Sequence, residues 1–208
     1  DAGRLDAALP GLECMVSLDN YLNETTRHAH VILPGLSPFE QPHHDDLIWG
    51  WSVRNAANFS EAIFPPQGRP AEWEILLALA GILAGQRASE VDTAMLDDFY
   101  FAGIVGYVAS QPRSRIAGRD PNEIVAATPG RGPERLLDFC LRTGPWGDGY
   151  GRDPQGLTLE VLRRSPHGID KGPLEPRLDE ILDTPSGKIE LAPDYITADV
   201  PRLRARLE

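Results

Sequence analysis

Sulfur is scarce in this chain, and the scarcity limits its chemistry. Cys14 and Cys140 are its two cysteines, far apart in sequence, with no CxxC pair and no zinc-finger spacing. An iron–sulfur cluster takes about four thiolates, so the chain cannot ligate one alone. Two free thiols in a reducing, cytoplasmic setting are expected, each read as a small buried hydrophobe. Basic residues are also few, 20 against 31 acidic, for a formal net charge of -11. Such a surface repels a phosphate backbone, which argues against nucleic acid as a partner. Long hydrophobic runs are missing. The longest, Ile75–Leu83, is too short to span a bilayer. No basic start followed by an apolar stretch marks a leader. The motifs GxGxxG, GxSxG and HExxH are absent, and Ser186-Gly187-Lys188 lacks the spacing of a phosphate-binding loop.

What remains is ordinary globular material, 208 residues that are 41% hydrophobic and 25% charged. Leu5, Ala8, Leu9 and Leu12 recur at helical spacing, and Glu13–Leu18 is apolar enough for a buried strand. Asn23 is placed to cap a short helix, and His30–Leu33 reads as a second strand closed by Pro34-Gly35. Helix, strand, short helix, strand is a βαβ rhythm and predicts a parallel sheet. Residues 36–50 read as loop, and Trp49–Asn58 as an extended segment or hairpin. Helices are expected at Ala71–Ala84, Ala94–Val108, Pro121–Thr128, Pro133–Arg142 and Thr158–Arg164. Leu182–Ala192 predicts a turn and then a strand.

The expected fold is therefore α/β. A partial parallel-sheet, Rossmann-like domain occupies residues 1–66, a mainly helical segment 67–181, and a terminal strand opens a further region, 182–208. The chain starts at Asp1 with a helix already in progress and stops soon after a strand signal, so both edges suggest an excised piece.

Few residues offer chemistry. Asp19 follows the first strand, where open α/β sheets bind ligands, and could accept hydrogen bonds from a ribose hydroxyl or a guanine edge. A turn-capping aspartate is the competing role. His28, His30, His43, His44, Asp45 and Asp46 mix imidazoles and carboxylates that can bind zinc or iron. A solvated polar loop explains them more simply. Glu40 and Gln41 could meet a ligand at the sheet edge or stay exposed. Trp49, Trp51, Trp73 and Trp146 read as core or interface aromatics.

Residues 16–34, VSLDNYLNETTRHAHVILP, resemble the signature of molybdopterin oxidoreductases of the dimethyl sulfoxide reductase class, which includes formate dehydrogenases and nitrate reductases. The pattern is a strand ending in Asp, a loop, Glu-Thr, a short helix, and Ala-Asp-Val-(Ile/Val)-Leu-Pro, with a later glutamate matched by Glu40. Phe64–Ile75 (FPPQGRPAEWEI) resembles the link into a helix bearing Trp-x-Ile. Thr184–Leu191 (TPSGKIEL) resembles the lead into the last, barrel-like domain.

The resemblance implies an internal piece of a larger enzyme that oxidises or reduces a small substrate at molybdenum. An iron–sulfur cluster would belong to other parts of that parent. The implied partners are the parent's remaining domains and an electron-transfer subunit. The implied cofactor is molybdopterin guanine dinucleotide, with Leu18 and Asp19 at its guanosine. Gln41 falls where some members place a lysine, and Glu72 near where some place an aspartate. No catalytic residue and no metal ligand is implied for this chain. Three positions depart from the pattern. His30 stands for the aspartate, Gln41 lacks the charge of a lysine, and Glu72 is about one position out of register. A stand-alone α/β binding or subunit-interaction module, without cofactor, is the alternative.

Overall fold

The computed structural model describes residues 2–45 and 50–207. Helix α1 (Ala2–Ala8) tightens into a 3-10 turn at Leu9–Gly11, where Pro10 sits in the first turn and costs no hydrogen bond. Strands β1 (Val16–Leu18) and β2 (Val31–Leu33) pair in parallel, Val16 opposite Val31 and Leu18 opposite Leu33. Asn23 organises the connection. Its Oδ1 accepts the Thr25 and Thr26 N–H groups at 3.0 and 2.9 Å. The buried Thr26 hydroxyl donates to the Tyr21 carbonyl at 3.0 Å. The short helix expected here is a single 3-10 turn, Thr26–His28.

The parallel sheet stops at these two strands. Among the described residues no third strand extends it, so they are mixed α/β and show a two-stranded parallel pair in place of the expected Rossmann-like sheet. β3 (Arg54–Ala57) forms no local hairpin. It pairs antiparallel with β4 (Ile169–Pro173), and Arg54 Nε donates to Asp170 at 2.9 Å. Nothing in IDKGP alternates, so β4 exists through its partner, with Gly172 at φ +100° beside an irregularity in the ladder.

The five helices expected in the middle all form: α2 (Glu72–Leu83), α3 (Thr93–Ser110), α4 (Pro121–Ala126), α5 (Gly132–Thr143) and α6 (Leu159–Arg163). Their starts are chemically explicit. Asp92, Asp120 and Thr158 accept the Met95, Asn122 and Val161 N–H groups. At α2 the Glu74 carboxylate accepts the Ala71 N–H at 2.8 Å.

One core joins Phe101 and Val105 of α3, Ile116, Ile124 of α4, Phe139 of α5, and Tyr150. A second joins Phe59, Leu157, Leu159 and Leu162. Val105, Ile116, Ile124 and Leu162 are 0% exposed, and each such burial contributes about 1.5–3 kcal/mol.

The glycine-rich loop after α5 is the tightest part of the molecule. Arg142 grips Asp148 through two hydrogen bonds, 3.0 and 2.9 Å, and its guanidinium lies 4.0 Å from the centre of the Tyr150 ring. Asp148 also accepts the Tyr150 N–H at 3.0 Å. Gly149, Tyr150 and Gly151 are all left-handed, with φ +56°, +56° and +91°. For a ring as large as tyrosine this conformation is strained. The ring's burial and its hydroxyl, 2.7 Å from Thr128 Oγ1, hold it there.

Two expectations fail. Cys14 and Cys140 share no disulfide and are both exposed, not buried, Cys14 just before β1 and Cys140 on α5 next to the buried Phe139. The terminal strand is also absent. Thr184–Gly187 is a turn, closed by the Gly187 N–H on the Thr184 carbonyl at 2.9 Å, but no strand follows. The described chain instead ends in α7 (Leu178–Ile181), α8 (Asp194–Thr197) and α9 (Val200–Leu207). A lone strand leaves its backbone groups unpaired, and Pro193 stops the run. No described helix is long and apolar enough to cross a membrane.

Two outcomes test this architecture. A Cβ at Gly147 would lie 2.1 Å from the Leu141 carbonyl oxygen. Gly147→Ala should therefore cost about 3 kcal/mol or more in urea unfolding, since backbone cannot yield as a side chain does. Burial pushes the Tyr150 phenol up to about 12. A tyrosine ionising at 10 when unfolded and near 12 when folded keeps its proton longer in the native state. Stability then falls as pH rises from 10 to 12. Ultraviolet titration should show one late tyrosine, missing in Tyr150→Phe.

Candidate functional site

The parallel pair fixes one edge of the molecule. Asp19 follows β1 directly and Pro34-Gly35 follows β2, so both loops leave from the carboxyl ends of adjacent strands. Leu18 and Asp19 are half-buried there. The Asp19 carboxylate spans its own turn: Oδ1 accepts the Tyr21 N–H and Oδ2 the Asn23 Nδ2–H, each at 2.9 Å. The turn-capping role is thus real. Each carboxylate oxygen has a second lone pair, which leaves capacity for a further donor.

Glu72 reaches the same edge from α2. A Cβ at Gly35 would stand 2.9 Å from Glu72 Cγ and 3.4 Å from its Oε1. The glycine therefore lets the Glu72 stem lie across the end of β2. Sequence spacing separates Asp19 and Glu72 widely, yet the fold sets both at the carboxyl edge of one two-stranded sheet.

Gln41 lines a different feature. It is half-buried in a cleft of about 770 Å³ whose walls include His43, His44, Phe59, Glu134 and Cys140. That volume suits a cofactor-sized ligand. Glu40, its neighbour, is buried, so it is not the exposed residue expected as one alternative. Its side chain is only 5% exposed, accepts the Ser37 N–H at 2.9 Å, and is ion-paired with Arg69. It ties the loop after β2 to the segment leading into α2, and so helps to set Glu72 over Gly35. A loop glutamate followed by an arginine far along the chain gives no sequence signal of this pairing.

The histidines disperse into structural tasks. His28 Nε2 lies 2.9 Å from Asp6, which also receives Arg27 at 2.5 Å. These bonds, that of Arg27 first, hold the Asp6 carboxyl below its usual range. His30 Nδ1 accepts the Met15 N–H at 3.0 Å, joining the starts of both parallel strands. His44 Nδ1 meets the Asn58 carbonyl at 2.5 Å, and His43 lies 3.8 Å from Asp45. Among the described residues no three such side chains converge as metal ligands. Asp46 and Trp49 lie outside the described residues. Trp51 is exposed, Trp146 is partly so, and Trp73 packs against Gly132 at the start of α5.

Arg27 and Arg69, the arginines flanking the Asp19–Glu72 edge in sequence, are each committed to a carboxylate. The edge thus offers hydrogen-bond acceptors and negative charge. It suits a donor-rich group such as the N1–H and 2-amino face of guanine, and it suits a diphosphate poorly.

Searches against protein-family models, curated proteins and solved structures found no match to this chain.

The Ser37 hydrogen bond first, with help from Arg69, holds the Glu40 carboxyl below the usual glutamate range. A carboxyl depressed in the folded state contributes stability above its unfolded value and loses it as pH falls. Loop residues 36–44 should become sensitive to protease as pH drops below about 4.5. Glu40→Gln should show that sensitivity already at neutral pH, with α-helical content unchanged by circular dichroism.

Proposed function

We propose that the chain is a cofactor-holding portion of a molybdopterin-dependent oxidoreductase and contributes to binding the guanine end of molybdopterin guanine dinucleotide. One observation carries this reading: Asp19 directly follows β1 and Glu72 lies against Gly35 just after β2, so both stand at the carboxyl end of the parallel pair, where a ligand in an α/β sheet is expected. The resemblance of residues 16–34 to the signature of that class assigns the same position to the guanosine.

The residues present fit part of the cofactor. A carboxylate that still has lone pairs can accept from N1–H and the 2-amino group of guanine, a charge-assisted contact about twice as strong as a neutral one. Half-burial of Leu18 gives the base an apolar neighbour. The diphosphate finds no such match at this edge, so its charge must be met by other parts of the enzyme. When bound, the cofactor supplies the two-electron chemistry at molybdenum. This chain's share is to orient its remote end. Gln41 stands in the separate cleft, where a neutral amide can donate or accept without attracting phosphate.

Guanine specificity by this route resembles other sites that read an edge by hydrogen bonds. Removing the acceptor leaves buried donors unpaired and costs more than losing apolar contact.

The test is made on the full-length polypeptide that carries this chain. Molybdenum measured by mass spectrometry and guanine nucleotide released by acid hydrolysis should both be near stoichiometric. Asp19→Ala should lower guanine content by on the order of tenfold, the worth of one charge-assisted hydrogen bond. Full-length protein without molybdenum or guanine nucleotide would overturn the proposal. The isolated chain should bind GDP weakly or not at all in calorimetry, because it presents one end of the grip.

A further inference from the structure

Far more surface is exposed than a chain of this size needs. A compact monomer of 22.8 kDa exposes roughly 9,600 Å², whereas this chain exposes 15042 Å². A standard protein interface buries about 1,600 Å² in total, so the excess exceeds what a stable dimer needs several times over.

Two exposed features are complementary. The first is an apolar groove of about 410 Å³ between α2, α3 and α5, floored by Trp73, Leu76, Phe101 and Ile104. It runs on through Tyr100 and Ile104 into a second depression on α3. Phe99 and Tyr107 stand 70% and 67% exposed along it, and Gly103 leaves the α3 surface open. From Ala71 to Gln111 the chain holds six acidic residues and one basic, Arg87. Asp97 and Asp98 are paired with Arg135 and Arg131, while Glu72, Glu74 and Asp92 keep the surroundings negative.

The second feature is the arm after β4. Between Leu174 and Leu207 ten large apolar side chains are exposed, and every residue of α9 is exposed. On α9, Val200, Leu203 and Leu207 fall at i, i+3 and i+7, a single stripe, with Arg204 and Arg206 beside it and Arg202 paired with Asp199 just before the helix. A basic amphipathic helix with a bare stripe and a bare apolar groove with an acidic surround are the two halves of a helix-in-groove contact.

We propose that α9 of one copy docks in the α2–α3–α5 groove of a second copy, and the reverse, giving a two-fold dimer by exchange of arms. Each interface holds the same contact twice, as two-fold symmetry requires. Leu203 enters beside Leu76 and Ile104, and the arginines face the acidic α2–α3 hairpin.

Sedimentation equilibrium of the full-length polypeptide that carries this chain should give twice the mass of one copy at micromolar concentration. Leu203→Asp on the arm, or Leu76→Glu in the groove, should each raise the dissociation constant on the order of thirtyfold. Both positions are exposed, so circular dichroism and thermal melting of the monomers should stay native. Mixing the two variants restores one sound groove facing one sound helix, and heterodimer should reappear. A wild-type monomer at 100 µM would overturn the proposal, whether α9 is free or folded onto its own groove. So would a dimer that neither substitution weakens, or a mixture that fails to recover.

Discussion

The Arg142–Asp148 pair is the contact on which the helical body depends. It joins the end of α5 to a loop that carries Tyr150 back into the core between α4 and α5. Two charges leave water for each other and for the face of one ring, with side chains 18% and 13% exposed. Breaking such a pair by removing one partner leaves a charge in a poor solvent, which is why the arrangement holds as a unit or fails as one. It also permits the strained run Gly149–Gly151. Without the pair, only the ring's burial and its Thr128 contact would hold a tyrosine left-handed, and the core would be poised to lose a ring that packs against Phe139.

A weaker constraint of the same kind serves the candidate site. Glu40 and Arg69 link two loops across the end of the small sheet, and Ser37 is folded back on the same carboxylate. The carboxyl edge with Asp19 and Glu72 is therefore held by polar contacts and one glycine, while the rigid cores lie in the helical body. A ligand edge on such a base is shaped by short-range bonds and owes little to hydrophobic burial.

Periodicity and capping chemistry made most elements legible. Asn23 caps where its position predicts, and α2 to α6 fall within a few residues of their expected bounds. What sequence could not convey is long-range pairing. β4 has no strand pattern and forms only because β3 is there. The expected strand after Thr184 has the pattern but no neighbour, and it does not form. Cys140 shows the limit of reading an amphipathic helix without its partners, since it borders an open cleft opposite Phe59 and His44 and stays exposed. At the site, Asp19 could be picked out from its place after a strand. The convergence of Glu72 on Gly35 and the burial of Glu40 depend on how α2 is carried back to the sheet, which no local pattern encodes.

The antiparallel ladder has a consequence for biosynthesis. Arg54 and Asp170 are 116 residues apart. At about 5–20 residues per second, a ribosome needs roughly 6 to 23 seconds after making β3 before its partner exists. Throughout that interval β3 is an edge with unsatisfied hydrogen-bonding groups beside the exposed Trp51 and Val53. The helices between them have local contacts and fold quickly, so the body can assemble first and hold the two strands' ends within reach. Newly made chains are thus most vulnerable to aggregation at a stage when most of their helix is already in place.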